Sequence, residues 1–253
     1  MNQTVIITGT SSGYGKAAAQ LFLDRGWNVV ATMRTPKPDL FGAQNDRLKI
    51  LPLDVTDSES IRNAINESFA TFGAIDAIVN NAGIGIVSAF EATSMTPVRE
   101  VFETNTFGVM AMTQAVIPLF CKQRSVVIVN VTSSVTLVRM PLAAAYTASK
   151  AAVEGFTGSL AFELDFFDVR VKLVEPGYGP STRFTTNGAS RMLGLIPEAY
   201  APFAEPIFAA FAQPTAVTTE SDVAEVVWRA ANDTTGQLRF AAGADAMALA
   251  QSR

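Results

Sequence analysis

Tyr146 and Lys150 stand four residues apart in Tyr146-Thr147-Ala148-Ser149-Lys150, so on a helix they share one face. A phenol, with an ordinary pKa of ~10, is a poor acid or base at neutral pH. An ammonium beside it favours the phenolate and lowers that pKa toward the working range. Such a pair suits proton transfer to or from a substrate oxygen. Upstream, the hydroxyl cluster Thr132-Ser133-Ser134 closes a solidly apolar run. In a parallel sheet the C-terminal strand ends border the ligand crevice. A serine there, Ser133 or Ser134, can hydrogen-bond a substrate oxygen.

A second group of residues is suited to phosphate. Thr8-Gly9-Thr10-Ser11-Ser12-Gly13-Tyr14-Gly15 follows an apolar run and opens a helical pattern. Glycines let the chain turn tightly and approach a ligand, and a helix N-terminus offers free N–H groups to a pyrophosphate. The spacing is Gly-x-x-x-Gly-x-Gly, not the Gly-x-Gly-x-x-Gly of the common dinucleotide fingerprint. In dinucleotide folds an acidic residue ending the second strand typically holds the ribose 2′-hydroxyl. That place falls on Met33, and Arg34 follows. No carboxylate repels a 2′-phosphate there, and a guanidinium is available to pair with one. The expected cofactor is therefore NADP(H), favoured over NAD(H).

These groups need a framework. The expected strands are residues 5–8, 28–33, 48–53, 75–79, 125–131, 169–174 and 237–240. The expected helices are 14–25, 58–72, 97–122, 146–167 and 221–231. The strands are apolar throughout rather than alternating, which implies burial on both faces in a parallel sheet. Strand–helix alternation predicts one doubly wound α/β domain of the Rossmann type over residues 1–253, with helices on both faces. Residues 178–219 break the rhythm; a long insertion of this kind usually forms a lid or binding loop.

Composition narrows the chemistry. Of 253 residues, 49% are hydrophobic and 17% charged, which excludes intrinsic disorder. The net charge of −4 argues against nucleic acid as a partner. There is no histidine, and Cys121 is the one cysteine. A Ser-His-Asp triad, a Cys-His protease, His-ligated zinc and an internal disulfide framework are all excluded, and no metal is expected. No basic leader and no apolar stretch near ~20 residues is present, so the expectation is a soluble cytoplasmic protein without membrane segments.

With these motifs in order, the chain resembles the classical short-chain dehydrogenase/reductase family from its first strand to its last. The resemblance assigns cofactor binding to Gly9, Ser11, Ser12, Gly13, Tyr14 and Gly15. It places Asp54-Val55 against the adenine. Asn80-Asn81-Ala82-Gly83 matches the motif ending the fourth strand, which adds Asn81, Ala82 and Gly83 to the cofactor set. Asn105 matches the active-site asparagine of the long helix. The family's serine lies thirteen residues before its tyrosine, which selects Ser133 over Ser134. Tyr146 and Lys150 match Tyr-x-x-x-Lys, and Pro176-Gly177 matches the turn beside the nicotinamide. The family often has threonine four residues after that glycine. Here Ser181 occupies the place and Thr182 follows, so either hydroxyl serves. Glu175, preceding Pro176-Gly177, is a hint of lineage toward hydroxysteroid and retinol dehydrogenases.

The resemblance implies hydride transfer between a nicotinamide and a carbonyl or secondary alcohol. Tyr146 would exchange the proton and Ser133 would fix the oxygen. Lys150 would lower the tyrosine pKa and bond the nicotinamide ribose, and Asn105 would hold a relay water. The apolar 178–219 segment suits an apolar ketone or aldehyde as substrate, and long apolar helices suit a homodimer or homotetramer. Two other classes share the fold. Nucleotide-sugar epimerases or dehydratases usually show Gly-x-x-Gly-x-x-Gly and a longer C-terminal domain, which this chain lacks. A non-catalytic dinucleotide sensor or scaffold typically loses the tyrosine or lysine, and both are present.

Overall fold

The computed structural model describes residues 2–42, 45–182 and 194–252. In chain order its elements are β1 (Thr4–Thr8), α1 (Gly13–Asp24), β2 (Asn28–Met33), β3 (Leu48–Pro52), α2 (Ser58–Phe72) and β4 (Ala77–Asn80). Then come α3 (Met95–Phe102), a π turn (Glu103–Phe107), α4 (Gly108–Gln123), β5 (Val126–Val131), α5 (Ala144–Asp165) and β6 (Val169–Pro176). After these lie α6 (Ala201–Ala212), α7 (Glu220–Asn232), β7 (Arg239–Ala242) and α8 (Ala244–Gln251).

The strands form one sheet in the order β3-β2-β1-β4-β5-β6-β7, with every neighbouring pair parallel. The unbroken apolar strands are explained by cover on both faces. Val5, Ile7, Val29 and Ala31 join Phe22 of α1 and Val227 of α7 in one core. Ile6, Val30, Ile78 and Ile128 join Ile61 of α2, Met112 of α4 and Leu160 of α5 in the other. The chain leaves β1 for one side of the sheet and returns at β4 on the other. That reversal opens a crevice at the C-terminal ends of the strands, where α/β proteins of this kind bind ligands.

Three expectations change. The helix over 97–122 starts earlier, at Met95, and a π turn at Glu103–Phe107 divides it. The 178–219 segment contains α6, whose prolines hid it. Pro202 sits in the first turn, where no N–H partner is needed, and Pro206 removes one bond only. An alanine-rich C-terminal helix, α8, was not foreseen; without a strong apolar stripe it has no periodic signal.

Close packing at Gly108 fixes α4 beside the crevice. A Cβ there would lie 2.7 Å from Val55 Cγ2 and 3.2 Å from the Val55 carbonyl oxygen. Gly108→Ala is expected to lower unfolding free energy by about 1–3 kcal/mol through overpacking. Urea unfolding with an unchanged midpoint would show that Val55 and α4 separate at no cost.

Candidate active site

The crevice is a cavity of about 1390 Å³ running along the C-terminal strand ends. Its floor is sewn together by Thr8. The Thr8 hydroxyl accepts the N–H groups of Asn81 and Ala82, each at 2.9 Å. The Asn81 side-chain amide donates back to the carbonyls of Thr8, at 2.9 Å, and Gly9, at 3.2 Å. Asn81 thus lines the cavity while its amide holds the glycine turn in shape. Gly9 has φ +72°, and a Cβ on it would lie 2.9 Å from Ala82 Cα. A Cβ on Gly15 would lie 2.5 Å from the Gly9 carbonyl oxygen. Only glycine fits either place.

Gly9, Ser11, Ser12, Gly13, Tyr14 and Gly15 all line the cavity. Ser12 is the N-cap of α1 but its hydroxyl makes no capping bond. The first turn of α1 therefore meets the cavity with its N–H groups uncapped by this side chain, a setting for a diphosphate. At the neighbouring end stand Met33, Arg34, Asp54 and Val55, as expected, together with Lys37. Lys37 escaped the sequence reading because it lies beyond the strand end that the fingerprint examines. For Asp54, burial pushes the carboxyl pKa up. The Thr56 N–H and hydroxyl, with Arg34, outweigh burial and leave it below the ordinary carboxylate range.

Tyr146 and Lys150 share the inner face of α5 and line the cavity with Val131 and Thr132. The Ser133 hydroxyl hydrogen-bonds the Tyr146 phenol. Ser133 also caps the short turn Ser134–Thr136, accepting the Val135 N–H at 3.4 Å, so its rotamer is fixed from both sides. Lys150 Nζ donates to the Val131 carbonyl at 3.0 Å, and its residue is 4% exposed. Burial pushes Tyr146 up to about 12, with the Ser133 hydrogen bond pulling downward. Burial pushes Lys150 down to about 8. Both groups are driven toward their neutral forms by the same desolvation.

Asn105 occupies the π turn, a helical irregularity common at functional sites. Its side chain is fully buried and committed to the chain. Oδ1 accepts the Ile84 N–H at 2.8 Å, and Nδ2 donates to the Ile84 carbonyl at 2.8 Å and to Ser149 Oγ at 3.1 Å. It clamps the segment after Gly83 to α5. Both amide hydrogens are thereby committed to the chain, while Oδ1 accepts one bond and keeps a second lone pair.

Pro176 and Gly177 line the cavity at the end of β6. Gly177 donates to the Ala242 carbonyl at 3.0 Å, and a Cβ on it would land on the Asp245 carboxylate. Asp245 accepts the Tyr178 N–H and the Thr218 hydroxyl, both at 2.6 Å. A lone aspartate in an alanine-rich tail carried no signal, yet it fixes the loop beside Gly177. Ser181 and Thr182 part company. Ser181 Oγ turns out to Glu220 at 2.9 Å, whereas Thr182 lines the cavity. The Ser181 assignment is corrected accordingly. The Tyr14 phenol lies against Gly179, its pKa raised by burial and then by Tyr146.

The roof comes from α6 and its approach: Ile196, Phe208 and Phe211 line the cavity. Ala204 and Ile207 anchor α6 on Ala89 and Leu142, and Tyr200 bonds Glu91 at 2.9 Å. Phe203 is 54% exposed and faces away from any core. Of the expected lid residues, Phe184, Met192 and Leu193 lie outside the described residues, as do Arg183 and Arg191. No helix among the described residues is long and apolar enough to cross a membrane.

Comparison with known proteins agrees with this fold. The family model described as short chain dehydrogenase matches residues 3–191. A 3-ketodihydrosphingosine reductase of Bacteroides thetaiotaomicron is 38% identical over 185 residues, which is 73% of this chain and 66% of the relative's length. A crystal structure of a short-chain dehydrogenase from Streptomyces avermitilis superposes with a TM-score of 0.86 at 31% identity. The match covers 100% of this chain and 92% of that one. A short chain dehydrogenase from Burkholderia cenocepacia, solved in complex with NADP, superposes with a TM-score of 0.78 at 25% identity. It covers 99% of this chain and 92% of its own.

The Ser133 hydrogen bond lowers the Tyr146 pKa, so removing it raises that pKa above its present value. Ultraviolet titration of Ser133→Ala, with Tyr146→Phe subtracted, is expected to show the Tyr146 phenolate forming at higher pH than in the unaltered protein. A shift to lower pH would mean that the serine is not bonded to the phenol.

Proposed function

The chain belongs to the short-chain dehydrogenase/reductase family, and on that premise we propose that it is an NADPH-dependent reductase of an apolar ketone or aldehyde. The observation that carries this is Tyr146, bonded to Ser133 and one turn from buried Lys150, on the wall of a cavity roofed by Ile196, Phe208 and Phe211.

The cofactor site fits a dinucleotide by its own geometry: a glycine cradle with no room for Cβ atoms, a helix N-terminus beyond it, and two cations at the far end. Gly9, Ser11, Ser12, Gly13, Tyr14 and Gly15 would hold the diphosphate. Asp54 and Val55 would meet the adenine, Ala82 and Gly83 would border the adjoining ribose, and Pro176, Gly177 and Thr182 would flank the nicotinamide. Arg34, with Lys37 beside it, would pair with a 2′-phosphate. When bound, the reduced nicotinamide supplies the hydride that the carbonyl carbon accepts.

Tyr146 donates the proton. With its pKa near 12 it is neutral at physiological pH and so holds the proton that reduction requires. Ser133 bonds the same carbonyl oxygen and fixes it against the phenol. Proton loss would leave a phenolate in a desolvated site, and the Lys150 ammonium is the charge available to stabilise it. Asn105 acts by clamping Ile84 and Ser149, which sets the distance between the cavity wall and α5.

An apolar substrate is supported by the wall beyond Tyr146, where Ile86, Val87, Met140, Ile196, Phe208 and Phe211 supply no charge. The Bacteroides relative carries the name of a ketone reductase. The same reading has the protein work as a cytoplasmic homodimer or homotetramer, supported by Phe162 and Phe166, 86% and 78% exposed near the C-terminal end of α5.

Oxidation of NADPH and NADH, followed by absorbance across ketones and aldehydes, tests the reading. Turnover is expected with apolar carbonyls, and Tyr146→Phe is expected to abolish it while NADPH still binds. A Tyr146→Phe protein that retains turnover would overturn the proton-donor role. Separately, Arg34→Ala is expected to weaken NADPH binding roughly tenfold, through loss of a charge-assisted contact, and NADH binding hardly at all. Equal weakening of both would remove the preference for the phosphorylated cofactor.

A further inference from the structure

Glu154, Glu175 and Arg239 take no part in the reaction above, yet they meet where its working segments converge. Glu154 follows Lys150 by one turn of α5. Glu175 immediately precedes Pro176-Gly177 on β6, and Arg239 opens β7. Arg239 Nη1 lies 2.9 Å from Glu154 Oε2, and the same nitrogen donates to Glu175 Oε1. Glu154 Oε1 accepts from the Thr132 hydroxyl at 3.4 Å, next to Ser133. Glu154 and Glu175 are thus drawn against one guanidinium nitrogen. Their residues are 8% and 1% exposed.

Two buried carboxylates drawn to the same guanidinium nitrogen repel each other, and a proton on one relieves that repulsion. One guanidinium cannot compensate two buried carboxylates, and an uncompensated buried charge is costly. Holding one proton leaves the cluster neutral. The groups facing Glu175 are Glu154 from α5 and Arg239 from β7; Thr132, just after β5, faces Glu154.

We propose that Glu154, Glu175 and Arg239 form a proton-sharing positioning cluster that holds the β5 end carrying Ser133, the Tyr146–Lys150 helix and the Pro176-Gly177 turn at their working separation. The proposal rests on the function given above, because its kinetic effect is read in carbonyl reduction. Burial first, and then Glu154, raise the Glu175 pKa, with Arg239 opposing them. The proton is therefore present at low pH and is lost as pH rises through that raised value. Its loss sets two anions against one guanidinium and drives α5 and β6 apart.

Infrared spectra and steady-state kinetics of the unaltered protein, Glu175→Gln and Arg239→Gln across roughly pH 5–9 test this. A protonated-carboxyl band is expected in the unaltered protein and absent from Glu175→Gln. It persists to higher pH in Arg239→Gln, because Arg239 lowers the Glu175 pKa. With NADPH and a carbonyl that the unaltered protein reduces, Arg239→Gln is expected to lower kcat roughly tenfold, the scale of a lost charged hydrogen bond, with KM little changed. Glu175→Gln keeps a hydrogen bond without the titration, so its kcat declines less steeply on the alkaline side. Absence of a Glu175-dependent band at every pH overturns proton sharing. A band together with kcat and pH profiles that superpose in all three proteins overturns the positioning role. A protein that reduces no carbonyl defeats the function above, and the infrared comparison still decides the cluster.

Discussion

Everything in the site hangs on the junction of β1 and β4. These strands are neighbours in the sheet but their helices leave on opposite faces, so their C-terminal ends must separate to make a crevice. Left alone, the parting ends would expose backbone N–H and C=O groups inside the protein, at a cost comparable to lost hydrogen bonds. Thr8 and Asn81 satisfy those groups mutually. The glycine turn, the cavity floor and the start of α1 all take their geometry from that exchange.

A second polar layer, deeper in the sheet, orients the catalytic helix. Asn80 Nδ2 donates to Asn130 Oδ1 at 2.8 Å, and Asn130 Nδ2 donates to the Thr157 hydroxyl at 2.9 Å. This chain runs from β4 through β5 to α5 across an otherwise apolar core. Directional bonds of this kind specify one rotational setting of α5, whereas apolar packing tolerates several. The setting matters because Tyr146 and Lys150 must face the cavity while Leu160 and Leu164 face the core. Desolvation follows from the same placement. It keeps the phenol protonated at neutral pH and lowers the ammonium pKa.

Much of this was legible before any coordinates. Apolar strands without alternation announced a sheet covered on both sides. Glycines at 9, 13 and 15 announced a turn that a ligand can approach, and the spacing of Tyr146 and Lys150 announced a shared helix face. Such signals are local: each depends on residues within one element and on a fixed period of the backbone. The resemblance to a family then named the serine, which spacing alone had left between two candidates.

The rest was non-local. Asp245 reaches the loop after β6 only because β7 pairs with β6 and α8 folds back over that edge. Lys37 joins Arg34 at the cavity mouth, Ser181 turns away toward Glu220, and Asn105 clamps Ile84. No periodicity encodes these contacts, because their partners lie on other elements. The titration of Tyr146 and Lys150 belongs to the same class. The sequence by itself determined which side chains stand on the catalytic helix and in what order. Only the tertiary structure decided how much water they keep, because burial depends on what other elements pack around them, and burial pushes the phenol pKa up and the ammonium pKa down.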